Sequence, residues 1–241
     1  MNLPFLILFH YTFKMINEIC HDKEYRDRCY KCYRPTSSCM CSYIKPIQTE
    51  TQFIILMHPK EFQKTKNGTG HFTNLALTNS KLFIGIDFSN HTIVNSILND
   101  KNNNCYVLYP DNNSIKLNTQ NIYKENKKNV IFIIDSTWAC SKKILRVSEN
   151  LRDLPKVSFE HSKSSAFKIK TQPNEYCLST MESTLCILEL LVNQDIEKIK
   201  QDNLDSFLMP FHKMVEYQLE CIDKVDKNYI RYKKPYKKAI S

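Results

Sequence analysis

Five consecutive apolar residues, Val130-Ile131-Phe132-Ile133-Ile134, run directly into the carboxylate of Asp135. A strand with one wet face alternates apolar and polar side chains, so an unbroken run marks a strand buried on both faces. Phe53 to Met57, Leu82 to Phe88 and Cys105 to Tyr109 read the same way. Helical patterns fall at about 70–79, 91–98, 138–150, 179–193 and 204–225. Buried strands separated by helices predict an α/β fold, a mostly parallel sheet with helices on both faces. The 241 residues suffice for one such domain with a small appended module. An apolar share of 42% excludes wholesale disorder.

Glycine scarcity narrows the chemistry. Gly68, Gly70 and Gly85 are the only three glycines, too few for a G-x-G-x-x-G turn or a Walker A loop, which excludes the classical nucleotide-binding folds. Ligands of an open parallel sheet gather at the carboxyl ends of its strands. Three polar sequences fall at or near such ends: His58-Pro59-Lys60-Glu61, Asp135-Ser136-Thr137-Trp138, and the turn Asn67-Gly68-Thr69-Gly70. At a sheet rim, partial desolvation suits Asp135 to proton abstraction; the structural alternative is an N-cap for the following helix. Trp138 either walls a pocket or packs its helix on the sheet. His58 and Glu61 could serve as ligands or acid–base groups, but no His-Glu-x-x-His pattern supports a hydrolytic metal centre. Gly68-Thr69-Gly70 would let backbone approach a ligand. Ser179-Thr180-Met181-Glu182 is a capping box, and the helix start it secures also welcomes a carboxylate.

Four of the ten cysteines crowd into Cys29-x-x-Cys32-x6-Cys39-x-Cys41. Two tight pairs joined by a turn suit the closed tetrahedral shell of structural zinc, with a redox centre or unrelated thiols as the alternatives. The formal charge is +9, and Lys227, Arg231, Lys233, Lys234, Lys237 and Lys238 crowd the C-terminus among Tyr229, Tyr232 and Tyr236. Such a segment is either a solvated tail or a nucleic-acid contact. Lys142, Lys143 and Arg146 give one helix the same two readings. The apolar start, Met1 to Phe9, lacks a basic n-region and a small-residue cleavage site and is too short to span a bilayer. The chain therefore reads as cytoplasmic, with no membrane association, and residues 1–14 as a mis-assigned extension before Met15.

In order, Cys-x-x-Cys-x-Arg-Pro, Cys-x-Cys, His-Pro-x-Glu, Thr-Gly, Asn-Ser, Asp-x-Thr-Trp, Leu-Pro-x-Val and Leu-Ser-Thr-x-Glu run from Cys29 to Glu182. This ordered set closely resembles the DTW-domain family of tRNA-uridine aminocarboxypropyltransferases. The matching positions are Cys29, Cys32, Arg34, Pro35, Cys39, Cys41, His58, Pro59, Glu61, Thr69, Gly70, Asn79 and Ser80, then Asp135, Thr137, Trp138, Leu154, Pro155, Val157, Leu178, Ser179, Thr180 and Glu182. Lys142-Lys143 stands where Arg-Lys is expected, and Ser183 where alanine is usual.

The resemblance implies transfer of the 3-amino-3-carboxypropyl group of S-adenosylmethionine to N3 of a tRNA uridine. A SAM-dependent RNA methyltransferase and a non-catalytic zinc-containing RNA-binding module are the rivals. The resemblance also implies a SPOUT-like α/β fold, knotted or not. Asp135 becomes the base. Thr137, Trp138, Leu154 and Pro155 become walls for adenosine and sulfonium, and Ser179 and Thr180 hold the donor carboxylate. Glu182 faces its ammonium, and His58, Glu61, Thr69 and Gly70 complete the cofactor site. Cys29, Cys32, Cys39 and Cys41 hold structural Zn2+, while Arg34, Lys142, Lys143, Arg146, Arg231, Lys233 and Lys234 face tRNA. No protein partner is implied. The expected organisation is an extension (1–24), a four-cysteine zinc module (25–46), the catalytic domain (47–225) and a basic tail (226–241).

Overall fold

The computed structural model describes residues 27–63, 68–122, 126–162, 164–169 and 177–224. The N-terminal extension and the tail residues Arg231, Lys233 and Lys234 lie outside them.

The apolar runs become strands β1 (Gln52–Met57), β2 (Ser80–Ile84) and β3 (Asn103–Leu108), and the longest becomes β5 (Lys128–Asp135). Two short strands with no apolar run join them, β4 (Ile115–Lys116) and β6 (Lys156–Ser158). The sheet order is β2-β1-β5-β3-β6-β4, and every ladder is parallel. β5 lies between β1 and β3, which explains why its core positions are apolar without alternation. β2 stops at Ile84, short of the expected Phe88, because among the described residues it is an edge strand whose ladder with β1 ends where Met57 pairs Ile84. Ile84 is accordingly 44% exposed.

The helices are α1 (Pro59–Gln63), α2 (Gly70–Ala76), α3 (Thr92–Asn99), α4 (Trp138–Val147), α5 (Glu149–Arg152), α6 (Thr180–Asn193), α7 (Gln201–Phe207) and α8 (Met209–Asp223). The single helix expected at 204–225 is thus two, parted at Leu208. Pro210 forces the break: it has no N–H to continue the ladder, and it is tolerated at the start of a helix.

Strand alternation sends Phe53, Ile131 and Ile133 to one face, against Phe72 of α2, Ile187 and Leu188 of α6, Phe207 of α7 and Phe211 of α8. Ile54, Leu56, Val130 and Phe132 point the other way, against Val94 of α3, Ile144 of α4 and Leu151 of α5. Both faces are therefore covered, as the sequence leads one to expect. The cysteine segment sits on the first face, where Cys32 and Met40 share one core with Phe72 and Met214. Among the described residues no helix is long and apolar enough to cross a membrane.

Candidate functional site

β5 delivers Asp135 to the carboxyl end of the sheet, where the residue is only 7% exposed. Its backbone carbonyl accepts from the His58 amide at 3.1 Å, continuing the β1–β5 pairing. Its Oδ1 accepts a 2.5 Å hydrogen bond from the Thr180 hydroxyl at the first turn of α6. The first turn of α2 presses on the same carboxylate. A Cβ on Gly70 would come within 2.7 Å of Met57 Cε and 2.9 Å of Asp135 Cγ. Glycine at this position is therefore required by the close packing of α2 on the Asp135 carboxylate. The N-cap alternative for Asp135 also falls away, because the N-cap of α4 is Thr137.

A cavity of about 360 Å³ opens beside this junction, at the carboxyl ends of β3, β5 and β6. Leu108, Ile133 and Ile134 give it apolar walls, and Tyr109, Ser136, Trp138, Ser141, His161 and Thr180 supply polar or aromatic ones. Thr180 lines the cavity, and its hydroxyl links that wall to the Asp135 carboxylate. Trp138 is 47% exposed and meets Tyr109 edge to face, with ring centres 6.1 Å apart. Thr137 is exposed beside it.

Several expected cofactor contacts fall elsewhere. Leu154 packs into the core of the second face, and the Pro155 carbonyl accepts from the Val107 amide at 3.0 Å. The correction follows from strand direction: these residues precede β6, while the cavity lies past its carboxyl end, where Ser158, Phe159 and His161 reach it. Nothing in the sequence marks a three-residue strand, so that polarity was not legible. His58 and Glu61 are buried at the β1–α1 junction, with His58 Nδ1 accepting from the Lys60 amide at 3.1 Å, and neither lines the cavity. Thr69 is buried too; its carbonyl accepts from the Thr73 amide at 2.9 Å.

Ser179 and Glu182 form the capping box that the sequence announces. Glu182 does more than cap. Its carboxylate accepts from the Ser179 amide at 2.7 Å, the Ala166 amide at 2.8 Å and the Ser165 hydroxyl at 2.9 Å. It ties the 164–169 segment to α6.

The four cysteines converge. All four sulfurs lie within 4.8 Å of one another, with Cys29–Cys41 at 3.7 Å and Cys32–Cys39 at 3.8 Å. Zinc–thiolate bonds of about 2.3 Å in a tetrahedron place sulfurs roughly 3.8 Å apart, whereas a disulfide needs about 2 Å. The donor set therefore fits Zn2+. Backbone amides of Cys32 and Lys31 pull the Cys29 thiol down to about 6, favouring the thiolate a metal binds, while burial pushes Cys32 up. Tyr33 closes this loop with a left-handed φ of 59°, its amide donating to the Cys29 carbonyl at 2.8 Å.

Arg34, expected to face RNA, is 1% exposed. Its guanidinium lies 4.5 Å over the Phe72 ring, and Nη2 reaches Met214 Sδ at 2.8 Å. Burial pulls its pKa down to about 10, opposed by the negative charge the sulfurs of Cys32, Cys39 and Cys41 can carry. It remains a cation placed to balance the sulfur cluster, and the RNA-contact expectation is corrected for this residue. Lys142, Lys143 and Arg146 are exposed on α4.

Comparison with known proteins agrees with the motif order. The family model described as the DTW domain matches residues 26–219. Over 229 residues the chain is 29% identical to a tRNA-uridine aminocarboxypropyltransferase 2 of Drosophila melanogaster, covering 90% of this chain and 87% of that protein. A protein of the same name from Mus musculus is 26% identical over 200 residues, 82% of this chain and 65% of that one. A third, from Macaca fascicularis, is 26% identical over 198 residues, 81% and 64% of the respective chains. No solved structure matches significantly.

Proposed function

Because the chain belongs to the DTW-domain family, we propose that it transfers the 3-amino-3-carboxypropyl group of S-adenosylmethionine to N3 of a uridine in tRNA, releasing methylthioadenosine. The observation that carries this reading is a buried carboxylate, Asp135, joined through the Thr180 hydroxyl to a cavity sized for one small molecule. The all-parallel sheet supports a SPOUT-like reading of the fold.

Uridine N3–H is a weak acid, and its proton must leave as the nitrogen attacks. Thr180 Oγ1 takes that proton and passes its own to Asp135 Oδ1. The bond that forms is N3–Cγ of the methionine moiety. The bond that breaks is Cγ–S, whose electron pair neutralises the sulfonium. Selectivity for Cγ over the methyl carbon is a matter of alignment. The apolar walls of the cavity suit adenosine, and the α6 N-terminus at Thr180 suits the donor carboxylate. Cys29, Cys32, Cys39 and Cys41 would hold zinc in a structural role, fixing the 29–41 segment on itself while Cys32 and Met40 pack it into the core that Phe72 and Met214 share.

The test is nucleoside mass spectrometry of tRNA incubated with the protein and S-adenosylmethionine. A uridine gaining the aminocarboxypropyl mass supports the proposal. A methylated uridine would assign the protein to the methyltransferase rival. RNA binding with no affinity for S-adenosylmethionine by calorimetry would leave only the non-catalytic module.

A further inference from the structure

The cavity accounts for one of the two substrates. At about 360 Å³ it lies near the lower end of the range for single small-molecule sites, so it has room for the donor alone. The acceptor base must then stand at the mouth. Trp138 is the large aromatic residue there, 47% exposed, and Tyr109 meets it edge to face at an interplanar angle of 67°. Tyr109 braces the indole without stacking face to face on it.

α4 continues from Trp138 with a consistent outward face. Lys142 follows at i+4 and Arg146 at i+8, both exposed, while Ser141, Ile144 and Leu145 turn inward. Residues four apart on a helix are neighbours. The helix contains no acidic residue, and neither cation joins an ion pair among the described residues. An aromatic plate followed by one cation per turn is the chemistry of a single-stranded nucleic acid, base on the ring and phosphates along the cations.

We propose that the exposed face of Trp138, braced by Tyr109, is the stacking seat of the acceptor pyrimidine base, with Lys142 and Arg146 carrying the flanking phosphates of an unpaired strand. This deepens the function proposed above and reassigns Trp138 from donor wall to acceptor platform. Duplex RNA offers no free base face, so the site requires a looped or unpaired segment.

The protein contains a single tryptophan, so intrinsic fluorescence reports this seat directly. The full chain is titrated with a short single-stranded oligouridylate, then with S-adenosylmethionine alone. Saturable quenching by the oligouridylate is expected. Trp138→Leu should weaken binding of a labelled oligouridylate about 5- to 150-fold, with Trp138→Phe recovering much of it. Lys142→Ala and Arg146→Ala should each lower the salt dependence of binding by about 0.7 in logarithmic slope. Quenching by S-adenosylmethionine with no response to oligouridylate would overturn the proposal and return Trp138 to the donor. Unchanged oligouridylate affinity in Trp138→Leu would also overturn it. These measurements need no turnover. If wild-type protein modifies tRNA and Trp138→Leu does so at unchanged KM, the seat fails while the proposed function stands; if oligouridylate binds as expected but no aminocarboxypropyl product forms, the reverse holds.

Discussion

Gly70→Ala probes the junction on which the site is built. The added methyl would come within 2.7 Å of Met57 Cε and 2.9 Å of Asp135 Cγ, closer than side chains approach in practice. Met57 Cε is the end of a flexible chain and can yield. The carboxylate cannot, because Oδ1 is held at 2.5 Å by Thr180. Either α2 shifts off the sheet or Asp135 turns and gives up that bond. Overpacking costs about 1–3 kcal/mol, and losing a hydrogen bond to a charged group about 1.5–3 kcal/mol. Alanine returns up to about 1 kcal/mol through helix propensity. The expected net loss is about 1–2 kcal/mol, or roughly 2–8 °C in melting temperature for a domain of this size. Transfer to tRNA should fall at least tenfold, because one lost hydrogen bond of this strength is worth about that in rate. Thermal unfolding and single-turnover nucleoside analysis measure the two effects. Gly85→Ala is the control: its methyl meets the Phe88 ring at 3.0 Å, so it should cost stability without a matching loss of transfer. Wild-type melting in Gly70→Ala would refute the packing argument, and a destabilised variant that has lost the Asp135–Thr180 bond yet transfers at the wild-type rate would refute the role given to Asp135.

Thr180→Val removes the hydroxyl between Asp135 and the cavity and should cut transfer by about 10²- to 10⁴-fold at near-normal donor affinity, with Thr180→Ser largely restoring it; calorimetry with S-adenosylmethionine beside single-turnover rates checks this. Asp135→Asn should lose transfer to a similar degree, and a variant at full rate would remove the base assignment. Cys32→Ser should abolish stoichiometric zinc, read by metal analysis, and lower stability because Cys32 is also core. His71 is held below the ordinary histidine value of 6.5 by burial, and then by Arg34. Its neutral folded form therefore binds fewer protons than the unfolded chain, so this contribution is complete above pH 6.5 and is lost as pH falls through the lowered folded value. Urea unfolding across that window should show the decline, and His71→Gln should flatten it. Deleting residues 227–241, which include six clustered basic residues, should weaken tRNA binding and reduce its salt slope; an unchanged slope would show that the tail makes no phosphate contact.

The central architecture was legible because its signals are local. Unbroken apolar runs identified β1, β3 and β5, and the abrupt change to Asp135 located the carboxyl end of the sheet. Ser179 and Glu182 announced the start of α6 within four residues, and the cysteine spacing announced a metal-sized cluster. Pro210 was also a local signal, and it marks the break that a single long helix would have missed. Strands β4 and β6, of two and three residues, are too short to carry a pattern, so the place of Leu154 and Pro155 ahead of β6 was not legible.

The sequence by itself determined the central strands, most of the helices, the α6 cap and the cysteine cluster, because hydrophobic period, capping chemistry and cysteine spacing all act over a few turns of chain. It could not say what Asp135 touches. Thr180 is 45 residues further on, and Gly70 reaches the carboxylate from another helix altogether. Nor could it distinguish Arg34, a cation buried beside sulfur and Phe72, from Lys142, a cation in water. Those outcomes were decided by tertiary packing, since burial and partnership depend on which faces meet, and no local period encodes that.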